Sequence, residues 1–303
     1  MMFHHPPSRI RAILLALLVT FLWSTSWILI KIGLKDVPAL TFAGLRHMLA
    51  FLILIPFSIQ PAHRKAIREM KLSIWGKLVL LGILLYGVAQ GAQYIGLDRL
   101  PSTSVSLLLN LTSPVVALLG IQLLKENLSR RQWLGVLFNL AGVLVFFGPV
   151  QFPASQIWGM VIVVIGMLAN SLGAILSRGI NRTRQVSPTL VTTICMGIGA
   201  VLMLGGGIIT EGIPRMTIPV WGIIAWLALV NTAMAFTLWN YTQQTLTAME
   251  STIINSTMLI QIAILSWIFL QESLSGMEIL GMILAAAGAV LVQLRNHASN
   301  NQV

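Results

Sequence analysis

Of 303 residues, 56% are hydrophobic and only 9% charged, far from the roughly 25% charged residues of a water-soluble chain. A helix needs about 20 apolar residues to cross a bilayer, so ten crossings with short loops use up this length and exclude a separate soluble domain within it. The net charge of +11 brings nucleic acid to mind. However, the Lys and Arg residues sit between the apolar runs and form no patch or stripe, which argues against a nucleic-acid surface.

In chain order, the first apolar run, Ala12 to Ile30, is too long for a signal h-region and lacks a small-x-small cleavage site, so it reads as a retained helix. Helices are predicted over 12–31, 38–58, 74–95, 102–123 and 132–148, then over 156–177, 188–210, 219–241, 251–270 and 277–294. The runs are continuous and lack period-two alternation, which favours helical spans over barrel strands. Pro38, Pro61, Pro101, Pro149, Pro188 and Pro219 stand at span ends, where a missing N–H costs least. Pro114 lies inside the fourth span and predicts a kink there. The one cysteine, Cys195, excludes an intrachain disulfide and a cysteine-rich metal site. No cofactor is expected.

Basic residues accumulate in alternate loops. With the N-terminus cytoplasmic, fourteen of the nineteen Lys and Arg fall inside and four outside (Lys31, Lys35, Arg99 and Arg215), while Arg46 lies within the membrane. Such a bias sets orientation and predicts a multi-pass protein of the cell membrane with both termini cytoplasmic.

The two halves repeat. A shift of 146 positions pairs Trp75 with Trp221, Gly76 with Gly222, Leu100 with Leu246, Glu126 with Glu272 and Leu128 with Leu274. It also pairs Ser129 with Ser275, Leu134 with Leu280, Gly135 with Gly281 and Gly142 with Gly288; Lys31 and Arg178 pair at a similar shift. Five helices per half make the second half upside-down. The predicted fold is therefore an all-α integral membrane protein of about ten transmembrane helices in two inverted five-helix repeats, 1–150 and 151–303. Inverted repeats serve alternating access around a midplane site.

Leu22-Trp23-Ser24-Thr25-Ser26-Trp27, closing at Lys31, resembles the first-helix motif of EamA-type carriers of the drug/metabolite transporter superfamily. Phe42, Leu45, Arg46 and Ala50 resemble the second-helix pattern, and Pro114, Glu126, Leu128, Gly135 and Gly142 the fourth-to-fifth-helix pattern, repeated without the proline as Glu272, Leu274, Gly281 and Gly288. The chain departs from that pattern at Ile260, where proline is usual, and at Glu250, where a small residue is usual. The resemblance implies a ten-helix carrier with a central cavity, in most cases a bacterial exporter of amino acids, metabolites or drugs.

Polar side chains at bilayer depth face a cavity or a neighbouring helix. Arg46 is the most expensive of them, because all eight acids lie at helix ends or in loops. It serves either as a scaffold bonded to a neighbouring helix or as a partner for a substrate carboxylate. Tyr86, Gln90, Gln93 and Tyr94 share one face of the third span, Thr103, Ser106, Asn110 and Ser113 one face of the fourth, and Glu250, Thr257 and Gln261 a stripe on the ninth. Asn170, Asn231 and Trp239 add polar or aromatic groups on the sixth and eighth. Each reads as interhelical glue or as cavity lining. Trp23 is too deep for an interfacial anchor and reads as packing or as a stacking surface. Glu250 is the candidate for proton coupling.

The expected function is a secondary carrier with a small-molecule substrate, exporting a metabolite such as an amino acid by alternating access around a midplane cavity. A multidrug exporter is the alternative. A membrane-embedded enzyme is remote, because it would want intramembrane histidine clusters or paired acids. No P-loop is present, so the chain does not itself hydrolyse ATP. The expected partners are the small-molecule substrate and the lipid bilayer, with no nucleic acid; the sequence does not fix the oligomeric state.

Overall fold

The computed structural model of the protein describes residues 6–124, 129–148, 154–246 and 248–293. Among them there is no strand. The first half runs α1 (Arg9–Gly33), α2 (Ala39–Ser58), a short α3 (Pro61–Arg68), α4 (Leu72–Arg99), α5 (Ser102–Asn110), α6 (Thr112–Leu124) and α7 (Arg130–Phe147). The second runs α8 (Ala154–Thr183), α9 (Pro188–Thr210), α10 (Ile218–Thr242), α11 (Ala248–Leu270) and α12 (Gly276–Gln293). Seven segments are long and apolar enough to cross a membrane; α7, α11 and α12 bring the crossings to ten.

Local chemistry sets the ends of these helices. Pro38 and Pro101 sit at N-caps and Pro61, Pro188 and Pro219 in first turns, positions whose N–H would be unpaired in any case. Ser129 and Gln132 form a reciprocal capping box at α7. Pro114 cannot donate to the carbonyl four residues back, and the fourth crossing breaks at Leu111 into α5 and α6. Pro149, Lys125 and Glu126 lie outside the described residues. Residues 61–68, between the second and third predicted spans, form the basic, amphipathic α3, whose Ala66 and Ile67 rest on the core. A helix of that composition lies along a membrane interface.

The halves pack as an inverted pair. α7 lies on α12 and α2 on α9, each helix against its own repeat mate; α1 packs on α10 and α11, and α8 correspondingly on α4, α5 and α6. Asn139 on α7 donates to the Ala285 carbonyl on α12 at 2.9 Å, a pair separated by the repeat shift itself. Glycines bring these backbones together. A Cβ on Gly142 would lie 2.4 Å from the Ala285 nitrogen, and one on Gly288 2.3 Å from the Asn139 nitrogen. Overpacking of this kind costs about 1–3 kcal/mol, occasionally more. Gly142→Leu and Gly288→Leu should each lower the thermal unfolding temperature and the monodisperse fraction in size-exclusion chromatography. Gly222→Leu, with nothing within 4 Å of its Cβ, should do neither.

Both halves also share a feature without a signature in the sequence. α4 widens to π-helical turns at Gly82–Ala89 and α10 at Leu229–Met234, the same place in the repeat. Such wide turns concentrate at functional sites.

Buried apolar groups divide unequally between the two faces. We call the face where the N-terminal residues, α3 and the α8–α9 and α10–α11 turns gather the basic face. Near the opposite face one core joins Trp27, Ile30, Phe42, Tyr94, Leu97, Val105, Ile224 and Ile262, from α1, α2, α4, α5, α10 and α11, and Phe147 links it to another cluster of Leu107, Phe146, Leu259, Met282 and Ala285 on α5, α7, α11 and α12. Toward the basic face the core splits. One cluster, including Leu54, Leu78, Ile180, Met196 and Phe236, takes none of its buried residues from α5, α6 or α11; a second holds Ala12, Ala16, Leu246 and Ile254. The gap between the two clusters leads into the protein. The outer perimeter carries exposed apolar side chains such as Phe21, Leu144 and Trp267, the surface that lipid covers.

Candidate functional site

A cavity of about 200 Å³ occupies the gap. It runs from Trp27 and Gln93, beside the core of the opposite face, to Arg178, Gln243 and Ser251 near the basic face. One wall is aromatic: Trp23 packs on Phe236 and Trp239 at ring-centroid distances of 4.9 and 5.1 Å, and Tyr86 on Phe236 at 5.0 Å. Other walls carry amides, with Gln90 and Gln93 from α4, Asn110 from α5, Asn170 from α8 and Asn255 from α11. The wide turn of α4 contributes Leu85, Tyr86 and Ala89.

Of the residues predicted from sequence, Trp23, Arg46, Tyr86, Gln90, Gln93, Asn110, Asn170 and Trp239 are brought together on this cavity. Asn231, Thr257, Gln261 and Glu250 are not among its lining residues. Asn231 is fully buried behind Trp23, where its Nδ2 donates to Leu22 O and to Thr25 Oγ1. Its carbonyl accepts from both Trp23 Nε1 and Arg46 Nη2, each at 3.2 Å. Gln261 bonds Thr257 and accepts from Ser24 on α1 at 2.9 Å, which makes that stripe glue between α11 and α1. Glu250 pairs with Arg9 at 2.8 Å at the mouth on the basic face.

Arg46 lies at the back of the cavity and is only 2% exposed. Its fork is satisfied from three directions: Nε donates to Thr232 Oγ1, Nη1 to Tyr94 OH at 3.0 Å and Nη2 to Asn231 O at 3.2 Å. Asn231 and Thr232 belong to the wide turn of α10, and Thr232 Oγ1 in turn reaches Leu227 O, five residues back. Of the two roles open to Arg46 in the sequence, the geometry is that of a scaffold tying α2 to α4 and α10. His47 beside it is buried, with Nδ1 bonded to Ala43 O at 2.8 Å.

Sequence reasoning missed Ser177, Arg178, Phe236 and Gln243 as cavity residues. Ser177, Asn181, Asn240 and Gln243 form a buried hydrogen-bonded knot that Asn240 extends to Thr192 at 2.8 Å. Arg178 caps the end of α10 by donating from Nη1 to Gln243 O at 3.1 Å.

At the opposite face, polar contacts gather around the α4–α5 turn. Lys31 Nζ donates to Leu97 O and Leu100 O, neutralising the carbonyl end of α4. Glu272 accepts from the backbone N–H of Ser102 at 3.0 Å and of Thr103 at 3.4 Å. Lys31–Leu97 and Arg178–Gln243 are the same contact in the two halves, which gives the paired charges of the repeat a shared task. Glu211 likewise caps the start of α2 through Leu40 and Thr41 N–H.

An inverted-repeat helical bundle around a polar and aromatic cavity is the architecture of a membrane transporter. The family model described as "EamA-like transporter family" matches this chain twice, over residues 10–148 and 157–294. The chain belongs to that family. It is 26% identical over 284 residues to the uncharacterized transporter YoaV of Bacillus subtilis, covering 89% of this chain and 92% of that protein. It is 25% identical to the uncharacterized transporter sll0355 of Synechocystis, covering 91% and 87%. One solved crystal structure superposes with a TM-score of 0.69 at 19% identity, over 94% of this chain and 96% of that one, a likeness of fold alone.

Proposed function

We propose that the protein is a secondary carrier of the cell membrane that works by alternating access and exports a small metabolite such as an amino acid. In this reading the basic face is cytoplasmic, both termini lie on that side, and the repeats divide at 150/151. The carrying observation is the one-sided cavity: its lining extends to Arg178, Gln243 and Ser251 at the basic face, while apolar clusters bridged by Phe147 and the Lys31 and Glu272 contacts pack the other. Such one-sidedness supports a rocking pair of repeats, which needs two end states of this kind. The aromatic wall formed by Trp23, Phe236 and Trp239 favours a second reading, export of hydrophobic drugs.

Metabolite profiles of cells lacking and overproducing the protein test the choice. Overproduction should lower the internal level of an amino-acid-sized metabolite and raise it in the medium. A shift in drug or dye tolerance with unchanged amino acids would favour the second reading, and internal accumulation would reverse the direction. Proton coupling is assigned to Glu250, whose ion pair with Arg9 sits at the mouth. Transport by Glu250→Gln should lose its dependence on external pH; retention of that dependence excludes the assignment.

A further inference from the structure

We infer that the cavity is selective for organic anions with an apolar or aromatic body, and that Arg178 is the side chain that reads their charge. The inference rests on the carrier reading above and adds the substrate class. Every charged group among the described residues lining the cavity is a cation: Arg46 at its back and Arg178 near its mouth, with no Asp or Glu. Glu250 at the mouth pairs with Arg9 and its charge also reaches Arg178, but it is not among the lining residues. A cation entering this space would meet two guanidinium groups and no carboxylate among the described lining residues, in surroundings where Coulomb forces are far less screened than in water.

The two arginines are not equivalent. Arg46 has all three nitrogens bonded to protein and is almost wholly buried. Arg178 is partly exposed, and its only hydrogen bond among the described residues is the one from Nη1 to Gln243 O. Nε and Nη2 stay available in the fork geometry that fits a carboxylate. Deeper in, Asn110 Nδ2 is buried without a protein acceptor, a further donor for an oxyanion. The aromatic wall faces the same space, so one solute can lay its apolar body on Trp23, Phe236 and Trp239 and turn its anionic end to Arg178.

Three indoles of matched shape separate charge from shape: indole-3-acetate (anion), tryptophan (zwitterion) and tryptamine (cation). Equilibrium dialysis against the purified full-length protein in nanodiscs should rank them in that order, with the anion at least about tenfold tighter than the cation. Arg178→Gln should weaken indole-3-acetate about tenfold and leave tryptamine unchanged or tighter, while Arg178→Lys keeps the ranking. Thermal unfolding of both variants checks that the fold survives, and the lysine variant carries the test if the glutamine variant does not fold. Tryptamine binding as tightly as the anion, binding of none of the three, or an equal loss of all three in a folded Arg178→Gln protein overturns the inference. The carrier reading stands or falls separately, on the metabolite comparison, because flux of a neutral or cationic solute would preserve transport and refute only the anion preference.

Discussion

Arg46→Gln is expected to destabilise the protein by about 2–4 kcal/mol and to depress transport only in proportion to the folded protein lost. The side chain donates to a hydroxyl on α10, a phenol on α4 and a carbonyl in the wide turn of α10. Truncation removes three charge-assisted hydrogen bonds and leaves the Tyr94 hydroxyl without its arginine partner at bilayer depth, where an unpaired group costs about 1–3 kcal/mol; Asn231 O keeps Trp23 and Thr232 keeps Leu227 O. Removing the buried cation returns part of its desolvation cost, which keeps the net effect below the sum. Arg46→Lys should be nearly as damaging, because a point charge with one nitrogen cannot span three acceptors on two helices. Thermal unfolding in detergent gives the stability change, and flux per folded molecule in proteoliposomes gives the transport effect. A variant with wild-type unfolding and lost flux would return Arg46 to the substrate.

How Arg46 would be used was not legible in the sequence, although its depth was. Depth follows from counting along an apolar run, because the run must match the bilayer; all ten predicted spans correspond to described helices within a few residues. Facing depends on the azimuth of each helix, and the wide turns alter it. One residue more in a turn rotates everything beyond by about 100°. Asn231 therefore points at α1 and α2 instead of into the cavity, although its position near mid-span suggested lining. The stripe of Thr257 and Gln261 was legible as a stripe, and only packing shows that it faces Ser24. Ser177, Arg178 and Gln243 lie near span ends, where polar residues are ordinary, so nothing in their positions marked a cavity that extends toward the basic face. The charged pair Lys31 and Arg178 was visible as a repeat; its task appeared only when each was found on the carbonyl end of a partner helix.

That task leads to the other large effect. Lys31→Gln combined with Glu272→Gln should shift the protein toward a state open on the face opposite the basic face. The two side chains hold opposite ends of one turn, Lys31 the last carbonyls of α4 and Glu272 the first amides of α5. Charge-assisted hydrogen bonds contribute about 1.5–3 kcal/mol when buried. Both residues are partly exposed, so about 1 kcal/mol each is the fitting figure after screening. Together that is about 2 kcal/mol, roughly thirtyfold in the ratio of two states. Val105 is fully buried directly beneath the turn, and the native Cys195 is also fully buried. A Val105→Cys reporter should therefore resist a membrane-impermeant maleimide in the parent and accept it in the double variant. Arg178→Gln on the same reporter should not increase labelling, because its contact lies at the basic face. Unchanged labelling in the double variant would mean that the apolar core alone, Trp27, Phe42, Tyr94, Leu97 and Ile262, keeps that face closed and that the charges of the repeat only cap helices.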